Sequence, residues 1–90
     1  MSDFRKQLER ELQNPEFAAE YERQQPEYEC MRAIVAARME QGITQKELAE
    51  RSGIRQSNIS RIESGASSPT ISTLLSLAEG MGKKLHIEFR

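Results

Sequence analysis

Apolar positions recur along this chain at two spacings, one helical and one alternating, and they divide it into short helices followed by a terminal strand. Phe4, Leu8 and Leu12 fall four residues apart and predict one face of a short helix. Asn14-Pro15 reads as a cap followed by proline at the first helical position, and Phe17, Ala18 and Tyr21 share one side of the helix it opens. Pro26 is expected to break that helix and restart it, because proline lacks an N–H and suits a first turn. From Glu27 to Gln41, Met31, Ile34, Val35 and Arg38 recur at i, i+3, i+4 and i+7, and Gly42 is placed to end the helix in the left-handed conformation.

Two shorter helices follow. Thr44 is a capping residue, and Glu47 three positions on completes a capping box. Leu48 and Ala49 face inward, Ala49 being small enough for a close helix crossing. At Gly53 the chain must turn sharply, where positive φ is cheap for glycine, and Ile54 plugs the turn. The next helix, Gln56 to Ser64, turns Ile59 and Ile62 inward and leaves Gln56, Ser57, Ser60 and Arg61 outward. Two short helices locked by a small residue, a glycine and two aliphatics specify a helix-turn-helix, whose second helix carries hydrogen-bonding side chains toward a major groove. A helical hairpin that packs on another protein has the same inner face, but an outer face of Gln, Ser, Asn and Arg favours DNA.

After the turn-rich segment 65–69, Thr70 caps a last helix, and Ile71, Leu74, Leu75, Ala78 and Met81 trace its apolar face as core. Gly80 and Gly82 loosen and end it. Lys84 to Arg90 then alternates, with Leu85, Ile87 and Phe89 on one face, which is strand periodicity. A lone strand cannot satisfy its own backbone, so it needs its copy in a second subunit or another protein. The expected fold is therefore all-α, a five- to six-helix bundle with a short C-terminal β-strand. It divides into an acidic helical arm over 1–25, a DNA-binding body over 26–83 and the strand over 84–90.

Charge supports that division. The 90 residues carry a net charge of −1, yet residues 1–29 hold eight acidic side chains against four basic ones, and the remainder is basic. Such asymmetry suits different partners for the two parts. One cysteine, Cys30, cannot form an internal disulfide, no stretch approaches the length and apolarity of a membrane span, and no signal peptide precedes the first helix, so a cytoplasmic protein is expected. His86 stands alone on the polar side of the strand, and Cys30 has neither a base nor a second ligand at useful spacing. With no CxxC, HExxH or glycine-rich phosphate loop, catalytic residues, a metal site and cofactors are not expected, and Cys30 reads as a small, partly buried apolar residue.

The stretch RMEQGITQKELAERSGIRQSNISRIESG, with SPTISTLLSLAEGMGKKL after it, resembles the Cro/C1-type helix-turn-helix family over about residues 31–84. With NPEFAAEYERQQPEYECMRAIVAAR before it and LHIEFR after it, the whole chain resembles HigA-type antitoxins. The resemblance implies a lambda-repressor-like bundle that silences a RelE/HigB-like, mRNA-cleaving toxin and, as a homodimer on palindromic half-sites, represses the operon they share. It also implies that Gln56, Ser57 and Arg61 enter the major groove, with Gln56 suited to adenine and Arg61 to guanine. Asn58 and Ser60 meet phosphate or face solvent, Arg55 reaches a phosphate, and Thr44 and Gln45 anchor the first helix to the DNA backbone; Ser64 and Thr70 are lesser phosphate candidates. Arg38 and Glu63 correspond to an internal salt bridge. The acidic arm, with Phe4, Leu8, Leu12, Phe17 and Tyr21, is the expected toxin-binding segment, against the simpler role of capping its own core. The alternative is a stand-alone phage or mobile-element repressor without a toxin.

Overall fold

The computed structural model describes residues 2–90, with side chains from residue 5 onward, so the position of the Phe4 side chain lies outside the described residues. Among the described residues five helices follow one another: α1 (Ser2–Glu11), α2 (Pro15–Glu40), α3 (Gln45–Ser52), α4 (Gln56–Glu63) and α5 (Ile71–Gly80). Their ends are chemically marked. Asn14 Oδ1 accepts from the Glu16 N–H at 3.0 Å with Pro15 just inside the helix, and the Thr70 hydroxyl accepts from the Thr73 N–H at 3.1 Å. Each cap takes up an N–H that has no partner within its helix.

α2 does not break at Pro26. It runs unbroken over 26 residues, about 39 Å at 1.5 Å per residue. Proline deprives the Glu22 carbonyl of its usual donor, but Glu22 and Pro26 are both exposed, so the lost bond falls on the solvent side of the helix, where it costs least. The expected boundary between arm and body therefore falls in the middle of a continuous helix.

α3 lies at the centre of the body, packed on α4 and α5, while α2 packs on α4. The core is aliphatic: Ile34 from α2, Ile43 from the α2–α3 turn, Leu48 from α3, Ile59 and Ile62 from α4, and Leu77 with Met81 from α5 and its end. Cys30, Ala37, Ala49, Ile54 and Leu74 pack around it. Ile43 directly precedes the capping residue Thr44 and shares the core with Leu48, the arrangement of a hydrophobic staple that fixes how the chain enters α3.

The inward face of α5 is rotated from the expected one. Ala78 and Met81 are buried as anticipated, but Ile71 is 61% and Leu75 47% exposed, while Leu77 is 1% exposed. Leu74, Leu77, Ala78 and Met81 themselves follow i, i+3, i+4 and i+7. Because α5 is apolar on two sides, periodicity alone selects either stripe. Gly80, expected to loosen the helix, lies within it and is buried where α5 meets α3. A β-carbon there would stand 3.0 Å from Ser52 Cβ, 3.1 Å from the Ser52 backbone nitrogen and 3.2 Å from Leu48 Cδ1. Backbone cannot swing aside as a side-chain tip can. Gly80→Ala is thus expected to destabilise by about 0.5–2 kcal/mol, overpacking outweighing the gain in helix propensity. Calorimetry checks this: a variant melting at or above the parent's temperature would show that the helices separate freely.

No strand is present among the described residues. The Lys83 N–H closes the end of α5 on the Ala78 carbonyl at 2.9 Å, and beyond it the tail makes no ladder. Strand structure needs a second strand to exchange hydrogen bonds with, and a single chain offers none here. Ile87 and Phe89 are left 54% and 100% exposed.

Candidate nucleic-acid interface

The geometry of the interface begins at Thr44. Its hydroxyl accepts from the Glu47 N–H at 3.1 Å, and the Glu47 carboxylate accepts from the Thr44 N–H at 3.3 Å and the Thr44 hydroxyl at 3.2 Å. This capping box starts α3, and Gly53 ends it at φ 75°, its N–H bonding the Ala49 carbonyl at 3.0 Å. An L side chain at that φ is strained, so glycine is what lets the turn be this short. The Ser52 hydroxyl accepts from the Ile54 N–H at 3.1 Å, and Ile54 tucks against the core. Arg55 then adopts an extended conformation, and its carbonyl accepts the first helical bonds of α4 from Asn58 and Ile59.

α4 is two-sided. Ile59 is fully buried and Ile62 2% exposed, whereas Gln56, Ser57, Ser60 and Arg61 are all exposed. Burying two isoleucines stabilises by roughly 3–6 kcal/mol, enough to fix which face looks outward. The outer face thus presents amide, hydroxyl and guanidinium groups on a rigid helix, the donors and acceptors that read base edges.

The remaining candidates divide by what already occupies them. Arg55 is exposed beside Gln56, while Asn58 is half-buried. Thr44 is exposed, but its hydroxyl both accepts from and donates to Glu47. The Ser64 hydroxyl donates to the Arg61 carbonyl at 3.1 Å and that of Thr70 to the Thr73 hydroxyl at 3.0 Å, so both serve local structure. Gln45 is half-buried, and its Nε2 donates to Glu63 Oε1 at 3.1 Å.

Behind this face, Arg38 Nε and Nη2 donate to Glu63 at 2.7 and 2.9 Å, with only 16% and 7% of the two side chains exposed. Arg38 Nη1 also donates to the Ile43 carbonyl at 2.9 Å. Burial pushes the Glu63 carboxyl up, but hydrogen bonds from Arg38 and Gln45, with the charge of Arg38, outweigh it and hold the group below its ordinary value. The hydrogen bond to Glu63 likewise raises Arg38, against a smaller opposing effect of burial. The pair joins α2 to α4, as the family resemblance implied. Neither the Ile43 bond nor the Gln45 bond was foreseen; the proximity of Ile43 to a capping box was the available signal.

The arm is partly self-satisfied. Leu8, Leu12, Phe17 and Tyr21 are half-buried, and Phe17 stacks on Tyr21 with ring centroids 6.3 Å apart. Leu8 and Tyr21 line one groove, so α1 folds back toward α2. Glu9, Glu11, Glu16, Glu20 and Glu22 remain exposed around them. Elsewhere, burial pushes the half-buried Cys30 thiol up, away from reactivity. No helix among the described residues is long and apolar enough to cross a membrane.

The family model described as Helix-turn-helix matches residues 34–87. An uncharacterized HTH-type transcriptional regulator of Haemophilus influenzae is 40% identical over 57 residues, covering 63% of this chain and 58% of that protein. The uncharacterized HTH-type transcriptional regulator y4dJ of Sinorhizobium fredii is 43% identical over 51 residues, 57% and 65% of the two chains. The chain thus spans less than two thirds of the length of these curated relatives. No solved structure matches it significantly.

Proposed function

We propose, from the premise that this chain belongs to the helix-turn-helix family, that it is a transcriptional regulator whose α4 enters the major groove of operator DNA. The observation that carries this reading is the two-sidedness of α4, with Ile59 and Ile62 buried and Gln56, Ser57, Ser60 and Arg61 exposed. Gln56 and Arg61 supply bidentate contacts to adenine and guanine, Ser57 a third base contact, and Arg55, Asn58, Ser60 and Thr44 flank them toward the phosphates. One such helix reads too few base pairs to define a site, so two copies act on palindromic half-sites about 34 Å apart. The alternating tail, whose Ile87 and Phe89 are left exposed, is the segment we assign to pairing the copies.

The finer reading is that of an antitoxin which neutralises a RelE/HigB-like toxin and represses their shared operon. It is supported by the acidic helical arm, which a regulator reading DNA alone does not need. A toxin that acts on RNA presents a basic surface, so the exposed glutamates speed encounter while Leu8, Leu12, Phe17 and Tyr21 supply the affinity.

Binding of the promoter upstream of its own gene tests the first reading. Arg61→Ala is expected to weaken it by about five- to hundredfold, the worth of one bidentate base contact. Unchanged affinity would remove α4 from the groove. A chain lacking residues 1–25 starts with Pro26, which a first turn tolerates. It is expected to keep DNA binding and lose neutralisation of the toxin encoded beside it; retained neutralisation would move toxin binding off the arm.

A further inference from the structure

Two features of this chain are opposite in shape and in charge. The first is the tail. Its exposed Ile87 and Phe89 are two residues apart and so share one side of an extended chain. Residues 83–90 carry three basic side chains, Lys83, Lys84 and Arg90, against one acidic, Glu88. The second is a groove of about 490 Å³ between α2 and the segment 65–69. Buried Ile62 and half-buried Cys30, Met31 and Pro69 line it, with Tyr28 and Glu27 exposed at its edge. Arg32 lies over the Tyr28 ring, 5.7 Å from its centroid, and steadies that edge. An apolar cavity of about 150 Å³ holds a benzene ring, so this groove admits a phenyl group and an aliphatic side chain together. The half of α2 that borders it is acidic. Glu16, Glu20, Glu22, Glu27 and Glu29 are exposed, with Arg23 the one base among residues 16–29. None of the five forms an ion pair among the described residues.

We propose that the tail of one copy docks in this groove of a second copy, with Ile87 and Phe89 entering beside Tyr28 and Ile62. The basic groups of the tail then meet the glutamates of α2. The inference rests on the reading that the tail pairs two copies, and it names the surface with which the tail pairs. Extended backbone outside a ladder still needs hydrogen-bond partners, and Gln24, Ser67 and Ser68 along the groove offer donors and acceptors. The tail's own groove lies at the limit of its reach. Lys83, whose N–H is bound to the Ala78 carbonyl and whose ammonium pairs with Glu40 at 3.3 Å, starts the tail at the far end of α2. Tyr28 lies twelve residues back along that helix from Glu40, about 18 Å. Phe89 stands about 20 Å from Lys83 when the chain is fully extended, which leaves no slack to turn its ring inward. A tail from a second copy has no such limit. Exchange in both directions makes each contact twice and closes a two-fold pair.

Sedimentation of the full chain, together with a labelled peptide of residues 83–90, tests the docking. The parent is expected to be a dimer. Ile87→Ser combined with Phe89→Ser should give a folded monomer, because neither side chain belongs to the core. That monomer keeps an open groove and is expected to bind the peptide. Adding Tyr28→Ser and Glu27→Lys to it should weaken the peptide by about tenfold or more, the worth of one buried aromatic contact. Tail pairing with tail makes the opposite forecast, since the monomer then has nothing left for the peptide to meet. A monomer that ignores the peptide up to about 1 mM therefore overturns the proposal, as does equal binding with and without the groove substitutions. A parent that stays monomeric at about 0.1 mM overturns it as well. If the chain with both serines remains a dimer, the tail does not pair the copies, and the reading beneath the inference falls by that separate result.

Discussion

Leu48→Ala is expected to destabilise the protein by about 3–4 kcal/mol, lowering its melting temperature by about 15–25 °C. Leu48 has no exposed surface and lies in α3, the helix on which α4 and α5 both pack. Neither neighbour can close the space. α5 already approaches as near as Gly80 permits, with the Ser52 backbone against it, and α4 is held by the short turn at one end and by Glu63 at the other. A cavity that cannot collapse costs more than the lost transfer energy alone. Since small domains are stable by only about 5–15 kcal/mol, the variant loses a large share of its margin. Urea unfolding gives the number, with an unchanged slope indicating that the denatured state is the same. Leu48→Met, which nearly keeps the volume, should cost under about 1.5 kcal/mol. Equal effects of the two substitutions would show that packing at this position is not what holds α3.

Arg38→Ala should cost nearly as much, about 3 kcal/mol at neutral pH, because it strands a carboxylate that is almost wholly out of water and removes a donor from the Ile43 carbonyl. Its dependence on pH distinguishes this cause from lost packing. In the parent, Glu63 titrates below its ordinary value of 4.5, so its ionised form contributes stability above that pH and the contribution is lost as the pH falls through the lowered value. Without Arg38, burial of the carboxyl is opposed only by the Gln45 hydrogen bond, and protonation relieves the variant. The gap in stability between parent and variant is expected to narrow as the pH falls, beginning above 4.5 where the variant's carboxyl takes up its proton and continuing through the parent's lowered value. A gap that stayed constant with pH would assign the loss to the arginine stem. If the melting temperature held while promoter binding vanished, Arg38 would belong to the DNA contact itself.

The two-helix centre was legible because each of its features is local. A capping box, a glycine that must turn left-handed and a pair of isoleucines three apart are set by neighbours within one turn of chain, and all were recovered. What misled was tertiary. Pro26 reads as a breaker because local chemistry counts the lost hydrogen bond and cannot count the solvent that replaces it. Ile71 and Leu75 read as core because α5 is apolar on two sides, and only its approach to α3 decides which side is used. Gly80 reads as a weak point when its bareness is what admits Ser52. The tail has the alternation of a strand, but alternation states only what a strand would do with a partner. At the interface, the residues pointing outward followed from those pointing inward, whereas the Gln45–Glu63 bond spans eighteen positions and leaves no local trace.

Continuity of α2 through Pro26 gives the molecule a lever where a break between two helices was expected. A flexible linker would let a passenger on the arm wander and would deliver it as a local concentration. An uninterrupted helix delivers it at a bearing, joined to α4 through Arg38 and Glu63. In the proposed complex of two copies on DNA, anything seated near Phe17 and Tyr21 would then be carried at one bearing relative to α4 and the duplex. Whether it clears the neighbouring copy or collides with it becomes a matter of helix length and phase: adding or removing one residue in the exposed stretch around Pro26 would swing the passenger about 100° around the helix axis.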